Sequence, residues 1–514
     1  MKKPFSLFLI CIFSINLPAQ PTIEWQKSYG GKEGDHPYSI VQTTDGGYFV
    51  AGRTTSNEGD VFGNHGGIDV WALKLDSSGA IQWKSCYGGS NNERAYACEQ
   101  TTDGGYILAG QTRSNNWDVS GNHGDFDAWV LKLSPIGAIQ WQKCLGGSLW
   151  DEAWDIKQTP DGGYIMVGGA QSTDGDLTVN HGAEDYWVVK LSSLGDLEWQ
   201  KTFGGSGADI AHSVAVTSDG GYIVAGEAWS DDGHVTNFQG GADCWLLKLD
   251  AEGKIEWEKA LGGTGIERGN DIQQTRDGGY IVVGLTRSNN GHVTGLHGGY
   301  DFWAVKLNKS GEIEWQRASG GSGEDYAKSI RQTSDDGYIM AGQTSSTDGD
   351  VASNDGGADI WIVKLSAMGA LQWEKAIGGT MAEDGSSIQQ TTDGGFITAG
   401  HTWSSNGDVS ENNGKSDFWI VKLSPETSHT SAPKYQTVEI YPNPSAHTIT
   451  LRTGLDISEN SALLITDLLG REILRPSIST DGSVDVSALP NGLYFLSVTL
   501  GSGVRLVGKF RKQE

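Results

Sequence analysis

The sequence is poor in cysteine and methionine, with five of each among 514 residues. Apart from Cys11 near the N-terminus, the cysteines are Cys86, Cys98, Cys144 and Cys244, and their spacing matches no paired C-x-x-C metal site. We predict that these four are small apolar core residues. Export from the cytoplasm would permit a disulfide between them, and that alternative stays open.

The sequence also lacks helical periodicity, catalytic signature motifs and any apolar run beyond the N-terminus that could span a membrane. Neither G-x-S-x-G nor H-E-x-x-H is present, and no phosphate-binding glycine loop stands between a strand and a helix. We therefore single out no catalytic residue. A carboxylate pair of the glycosidase or lyase type stays open, because Asp and Glu are abundant.

Residues 1–20 are typical of a secretory signal peptide. Lys2 and Lys3 precede an apolar run from Phe5 to Leu17, and a small residue, Ala19, follows. The run is shorter than the roughly 20 residues of a membrane-spanning helix. We predict cleavage near Ala19 or Gln20, so that the mature protein leaves the cytoplasm.

Glycine is in excess, with 74 residues, about twice the usual share, and it belongs to a repeat of 58 residues. Two tryptophan series recur at this interval, at 25, 83, 141, 199, 257, 315 and 373 and at 71, 129, 187, 245, 303, 361 and 419. Each repeat has four short β-type runs, here named strands a, b, c and d, which in the first repeat are Tyr38–Thr43, Gly47–Arg53, Asp69–Leu75 and Ala80–Cys86. Four antiparallel strands repeated around an axis are typical of β-propeller blades.

The two ends of the repeat region predict a closed ring. The chain begins with a lone d strand at Thr22–Lys27, and the seventh repeat ends after its c strand, Asp417–Leu423. The N-terminal strand then completes the last blade of an all-β, seven-bladed propeller over residues 21–424. In such a ring the a–b and c–d turns lie on one face, the bottom, and the b–c and d–a loops lie on the other, the top.

Residues that recur in every blade are predicted to hold the blades together. The two tryptophan series can fill the wedges between blades. A lysine follows the c-strand tryptophan by three residues in every repeat, and a buried lysine requires an ion pair or an aromatic partner. These lysines are 74, 132, 190, 248, 306, 364 and 422.

Acidic residues also recur, on the top face, and two interpretations stay open. Short Asp side chains beside glycine commonly accept hydrogen bonds from loop N–H groups. Oxygen-rich loops such as 172–176 also resemble fragments of calcium sites, although none has the full EF-hand spacing. The candidate calcium ligands are Asp60, Asp69, Asp118, Asp127, Asp174, Asp176 and Asp185.

Five tryptophans stand outside both series and map to the top face or its approaches: Trp117, Trp150, Trp154, Trp229 and Trp403. Exposed aromatic rings among Asp and Asn suit stacking on sugars or a protein hot spot. Packing within irregular loops is the alternative. We predict that ligand binding, if it occurs, uses these residues.

The charge of the repeat region limits its partners. Residues 21–433 carry 27 Lys and Arg against 56 Asp and Glu. Such a surface repels nucleic acid and anionic membranes and suits cations, basic partners or neutral glycans.

The C-terminal part of the chain is predicted to be a separate module. Residues 425–437 are rich in Ser, Thr and Pro and are typical of a linker. Residues 438–514 contain the motifs Y-P-N-P, D-L-L-G-R-E and L-P-N-G-L-Y-F-L and a basic end. Their short alternating strands, separated by Gly, Pro and Asn turns, predict a small β-sandwich.

This module closely resembles the C-terminal sorting domain of the type IX secretion system of Bacteroidota. The resemblance implies entry into the periplasm through the signal peptide and recognition by the type IX machinery. It also implies passage across the outer membrane and removal of the tail, with release or anchoring to surface lipopolysaccharide.

We therefore predict a secreted or cell-surface propeller that is a non-enzymatic binding or adhesion protein and takes a glycan or a protein on its top face. A polysaccharide-active hydrolase or lyase and a structural surface-layer component are the alternatives. Calcium is the only cofactor that the sequence suggests.

Overall fold

The computed structural model describes residues 20–426, 435–452, 462–466, 472–479, 483–499 and 505–513. Residues 1–19 of the predicted signal peptide and residues 427–434 of the predicted linker lie outside the described residues. The chain divides into two compact units, one formed by Gln20–Glu426 and the other by the C-terminal residues from Thr427 onward. Within the described ranges, no helix is long and apolar enough to cross a membrane.

The first unit consists of seven four-stranded antiparallel sheets, as the repeat predicts. Strand a of blades 1 to 7 is Asp35–Gln42, Glu93–Gln100, Asp151–Gln158, Asp209–Val216, Glu267–Gln274, Asp325–Gln332 and Glu383–Gln390. Strand b is Tyr48–Thr54, Tyr106–Thr112, Tyr164–Ala170, Tyr222–Ala228, Tyr280–Thr286, Tyr338–Thr344 and Phe396–Thr402. Strand c is Asp69–Leu75, Asp127–Leu133, Asp185–Leu191, Asp243–Leu249, Asp301–Leu307, Asp359–Leu365 and Asp417–Leu423. Strand d is Ile81–Tyr87, Ile139–Leu145, Leu197–Phe203, Ile255–Leu261, Ile313–Ser319 and Leu371–Ile377 in blades 1 to 6.

The ring is closed by the N-terminal strand, which confirms the prediction from the two ends of the repeat region. Ile23–Tyr29 pairs antiparallel with the c strand of blade 7, and the register joins Trp25 to Lys422 and Tyr29 to Phe418. Blade 7 therefore takes its outer strand from the opposite end of the unit. Closure in this way completes the seventh four-stranded blade.

Apolar side chains pack between neighbouring blades. The c-strand tryptophans are at most 1% exposed, and Trp303 of blade 5 shares a cluster with Ile223 and Leu246 of blade 4. The d-strand tryptophans lie nearer the surface and cover the c–d turn of the next blade. Gly311 in that turn has φ +77°, and a Cβ there would lie 3.1 Å from the Trp257 ring, so both the turn and the tryptophan favour glycine.

The repeated lysines form ion pairs on the bottom of the ring, which confirms one of the partners predicted for them. Lys306 is 3% exposed, and its Nζ lies 3.0 Å from Asp277 of the a–b turn and 2.9 Å from Glu314 of strand d. The same pairing of lysine with the turn Asp occurs in all seven blades. Each lysine thereby ties the a–b turn to strand c of its own blade.

A second set of bottom contacts joins neighbouring blades. The glutamine that ends strand a accepts a hydrogen bond from a backbone N–H in the a–b turn of the preceding blade, as Gln274 does from Ser218. The contact occurs at six junctions. At the seventh, Pro160 has no N–H to donate and Val216 replaces the glutamine. Donor and acceptor are thus lost together, which leaves no unpaired group at this junction.

The C-terminal unit is built from two small sheets, in agreement with the predicted β-sandwich. The five-stranded sheet has the order Tyr435–Thr437, Arg505–Lys512, Gly492–Thr499, Ala462–Thr466 and Glu472–Leu474. The three-stranded sheet consists of Glu439–Tyr441, Thr448–Arg452 and Ser483–Asp485. Ile449, Val484 and Leu496 are among the buried residues of its single core.

Candidate functional site

Strand a forms the inner edge of every blade and surrounds a central channel. It ends each sheet of blades 1 to 7, and each a strand contacts the a strands of both neighbouring blades. Because strand a runs from the top loops to the bottom turn, its first half surrounds the top of the channel and its second half the bottom.

The positions along strand a differ sharply in how much they vary between blades. The Ile40 position is buried between blades and holds Ile in five blades, Cys in blade 2 and Val in blade 4. Two residues earlier the position is half-buried in every blade and differs nearly every time. From blade 1 to blade 7 it holds Tyr38, Tyr96, Trp154, His212, Asn270, Lys328 and Ser386.

These variable residues line a cavity of about 740 Å³ in the upper part of the channel, which we call the mouth. Its volume falls in the range of small-molecule binding sites, about 300–1,000 Å³. Its lining residues are Tyr38, Arg94, Tyr96, Trp154, His212, Trp229, Ile266, Arg268, Asn270, Leu285, Tyr300, Tyr326, Lys328 and Ser386. Six of these fourteen residues are Tyr or Trp.

One side of the mouth is an unbroken aromatic arc on blades 1 to 4. The Tyr96 and Trp154 rings are stacked, with centroids 4.3 Å apart and an interplanar angle of 19°. Tyr38 meets Tyr96 edge-on at 5.2 Å, and His212 meets Trp154 edge-on at 5.1 Å. Trp154 Nε1 donates a 2.8 Å hydrogen bond to Glu152, which fixes the orientation of the indole.

The remaining wall carries cations that are held by carboxylates. Lys328 Nζ lies 2.6 Å from Asp384, and Arg268 lies 2.8 Å from Glu227. Burial would raise the pKa of Glu227, but contacts with His212 and Arg268 reverse this effect and lower it. Burial and the nearby Arg268 lower the pKa of His212, although its contact with Glu227 opposes this shift.

The structure separates the five tryptophans that the sequence singles out. Trp154 and Trp229 line the mouth, and Trp154 lies within strand a rather than beside a d–a loop. Trp150 packs on Phe126 at 4.4 Å. Trp403 packs edge-on against His401 at 4.4 Å. Trp117, 73% exposed, stands in a top loop, and its ring centroid lies 5.4 Å from that of His65.

The candidate calcium ligands accept hydrogen bonds within the loops. Asp118, Asp174 and Asp176 accept from the backbone N–H groups of Gly88, Ser148 and Gly146, and Asp60 contacts Lys84. Asp69, Asp127 and Asp185 each pair with the backbone N–H and the ring of the histidine four residues earlier. Within the described part of the chain, no three His, Cys, Asp or Glu residues are grouped so as to hold a metal ion. Calcium binding stays a prediction.

The Asp that opens strand c keeps one buried carboxylate oxygen without a hydrogen-bond partner in every blade. That oxygen lies beside the carboxylate that opens strand a of the next blade. A Cβ at Gly262 would lie 2.4 Å from Asp243 Oδ1 and 2.6 Å from Glu267 Oε2, so the glycine makes room for the pair. Burial and the nearby Glu267 carboxylate raise the pKa of Asp243 to about 7, although a hydrogen bond from the Gln239 backbone N–H lowers it.

Most residues of the mouth are not among the five tryptophans that the sequence singles out. Tyr38, Tyr96, Tyr300 and Tyr326 lie in it, and none of them belongs to a residue type that stands out in the composition. A signal was present nonetheless. The Tyr38 position holds six residue types in seven repeats, whereas the Ile40 position in the same strand holds Ile in five of them.

Comparison with known proteins identifies the C-terminal unit. Residues 439–512 match the Secretion system C-terminal sorting domain family. The Regulatory protein FlaEY of Caulobacter vibrioides is 23% identical over 396 residues, which are 69% of this chain and 40% of that protein. The chain thus spans less than half the length of this curated relative.

Solved structures with similar architecture share little sequence with the chain. The extracellular domain of a B. thetaiotaomicron protein described as a hybrid two-component system aligns with a TM-score of 0.41 at 11% identity, over 96% of this chain and 60% of that chain. Sqt1 from Chaetomium thermophilum aligns with a TM-score of 0.40 at 12% identity, over 74% of this chain and 83% of that chain. The family match, and not these structures, shows that residues 439–512 form a type IX sorting domain, as their motifs predict, which directs the protein to the cell surface or into the medium.

Proposed function

We propose that this protein is a binding protein that acts outside the cell and takes a saccharide in the mouth of its propeller. The observation that carries the proposal is the aromatic arc of Tyr38, Tyr96 and Trp154, built at positions that differ from blade to blade. Aromatic faces beside hydrogen-bonding groups suit the apolar and polar faces of sugar rings. A ring of near-identical blades requires no such asymmetry for its own stability.

The composition of the mouth favours binding over hydrolysis. A glycosidase uses two carboxyl groups that flank the scissile bond, and among the described residues that line the mouth none is Asp or Glu. Of the carboxylates near it, Glu152 and Glu227 are at most 7% exposed and Asp384 is 20% exposed, and all three are held by neighbouring side chains.

Two exposed tryptophans provide a matched test. Trp229 is 44% exposed and lines the mouth, whereas Trp117 is 73% exposed and does not. The full-length protein is screened on a glycan array, and each hit is titrated with the wild type, Trp229→Ala and Trp117→Ala. Loss of one stacked ring costs about 1–2 kcal/mol, or roughly tenfold in affinity.

We expect this loss for Trp229→Ala and unchanged affinity for Trp117→Ala. Equal effects of the two substitutions, or the absence of any glycan hit, would refute a saccharide site in the mouth. The same hits are incubated with the protein and analysed for cleavage by chromatography. Release of new saccharide ends would show that the protein is an enzyme and contradict the proposal.

A further inference from the structure

The lining of the mouth is cationic in a unit that is acidic overall. Arg94, Arg268 and Lys328 line it, and no carboxylate does among the described lining residues. Residues 21–433 carry about two acidic residues for each basic one, 56 against 27. The charged side chains that line the mouth therefore differ in sign from most of the propeller, whereas the adjoining cavity of the channel also contains Glu99 and Asp271.

The arrangement of the ion pairs accounts for this difference. Arg268 is 38% exposed and its partner Glu227 is 4% exposed. Lys328 is 36% exposed and its partner Asp384 is 20% exposed. In both pairs the cation faces the cavity and the carboxylate lies behind it. The carboxylates thus hold the cations in place without lining the site.

A ligand in the mouth would meet the charged donors of its lining residues. Arg268 contacts Glu227 through one terminal nitrogen, and a guanidinium has five N–H donors. Lys328 contacts the two oxygens of Asp384, and an ammonium has three donors. Both groups therefore retain donors for a second anion, and such charge-assisted hydrogen bonds are about twice as strong as neutral ones.

Two of the three cations lie opposite the aromatic arc, and the third, Arg94, lies beside Tyr96 within it. Tyr96 and Trp154 at the centre of the arc belong to blades 2 and 3, whereas Arg268 and Lys328 belong to blades 5 and 6. In a ring of seven blades these positions face each other across the channel. A ligand that fills the mouth would have a ring face on one side and an acidic group on the other.

On the basis of the proposed function, we infer that the saccharide bound in the mouth is acidic. Its carboxylate would lie toward Arg268 and Lys328, and its ring would face the arc of Tyr96 and Trp154. A uronic acid unit has this chemistry. The acidic outer surface repels long polyanions, so we expect the mouth to bind short oligosaccharides or chain ends.

The test compares two ligands that differ only in charge. A short oligogalacturonate and its methyl ester are each titrated into the full-length protein by calorimetry. We expect the acid to bind at least about tenfold more tightly, as the loss of one charge-assisted contact predicts. Equal or tighter binding of the ester would overturn the inference and leave the saccharide site standing. If neither they nor any arrayed glycan binds, both proposals fall.

Two variants then assign the effect to Lys328. Lys328→Gln removes the cation but leaves Asp384 unpaired, and the double variant with Asp384→Asn removes the whole pair. We expect about tenfold weaker binding of the acid by both variants and unchanged binding of the ester. Recovery of acid binding in the double variant would show that the unpaired Asp384 caused the loss, which would overturn the inference. Thermal unfolding of each variant confirms that it is folded.

Discussion

The framework of the propeller and its mouth share the same strands, yet they follow different rules. At the Ile40 position the side chain is buried between blades, and five of seven blades have Ile. At the Tyr38 position the side chain faces the channel, and the seven blades have six residue types. Close packing restricts volume and shape at the first position, whereas at the second the side chains border the open channel. Residues that recur in every blade therefore stabilise the fold, and residues that vary between blades lie on the surface that is available for binding.

The largest effect is expected where the framework is most deeply buried. Trp303→Ala should lower the free energy of unfolding by about 3–5 kcal/mol, because it empties a site that is 1% exposed between blades 4 and 5. Urea denaturation of the purified protein measures this loss. A loss of less than about 1 kcal/mol in the free energy of unfolding would contradict the prediction that the tryptophans fill the wedges between blades.

The bottom ion pairs are expected to contribute less. Lys306→Met removes the buried cation between Asp277 and Glu314, and we expect a loss of about 1–3 kcal/mol, because the hydrogen bonds of both carboxylates and of one backbone carbonyl are lost. The carboxylates stay half-exposed and can hydrate, which limits the cost. Lys259→Met, which removes an exposed pair with Glu312, is the control and should change stability by less than about 1 kcal/mol.

The strand-c aspartates at the top and the a–b turn aspartates at the bottom are expected to change the stability of the protein with pH in opposite senses. Burial raises the pKa of Asp243 to about 7 from its ordinary value of 3.8. The stability that the protonated carboxyl contributes is fully present below pH 3.8 and is lost as the pH rises through about 7. Asp243→Asn should therefore stabilise the protein by about 1 kcal/mol near pH 8 and have little effect near pH 4.

Thermal unfolding of the wild type and of Asp243→Asn between about pH 4 and pH 8 tests this sign. Equal stabilisation at both ends would show that the effect does not come from ionisation. The bottom aspartates behave differently. Burial would raise the pKa of Asp277, but hydrogen bonds from Thr275, Gly279 and Lys306 lower it to about 2, so its contribution is lost only in stronger acid.

The smallest effect on stability is expected in the mouth. Trp229→Ala alters a side chain that is 44% exposed, and we expect a change in the free energy of unfolding within about 0.5 kcal/mol. The same variant should lose affinity for the saccharide. A large loss of stability would mean that the mouth is part of the framework and would remove the contrast between the two regions.

Much of the propeller framework could be predicted because the sequence pattern of one blade is repeated seven times. The interval of 58 residues and the lone strand before Asp35 together predict seven blades and their closure. The sorting tail could be predicted from its motifs. The mouth could not, because its fourteen lining residues are distributed over the a strands, one b strand and the top loops, and no single residue type is common to them. Trp154 and Trp229 were found by type, and Trp117 shows that type does not determine location.

The sequence alone thus determined the repeat, the strand order and the export route, because each depends on patterns that are local or periodic along the chain. The tertiary structure decided which side chains meet. It placed Arg268 and Lys328 across the channel from Tyr96 and Trp154, and it paired each strand-c Asp with a carboxylate of the next blade. These neighbours come from different blades, and closure of the ring fixes the distances between them.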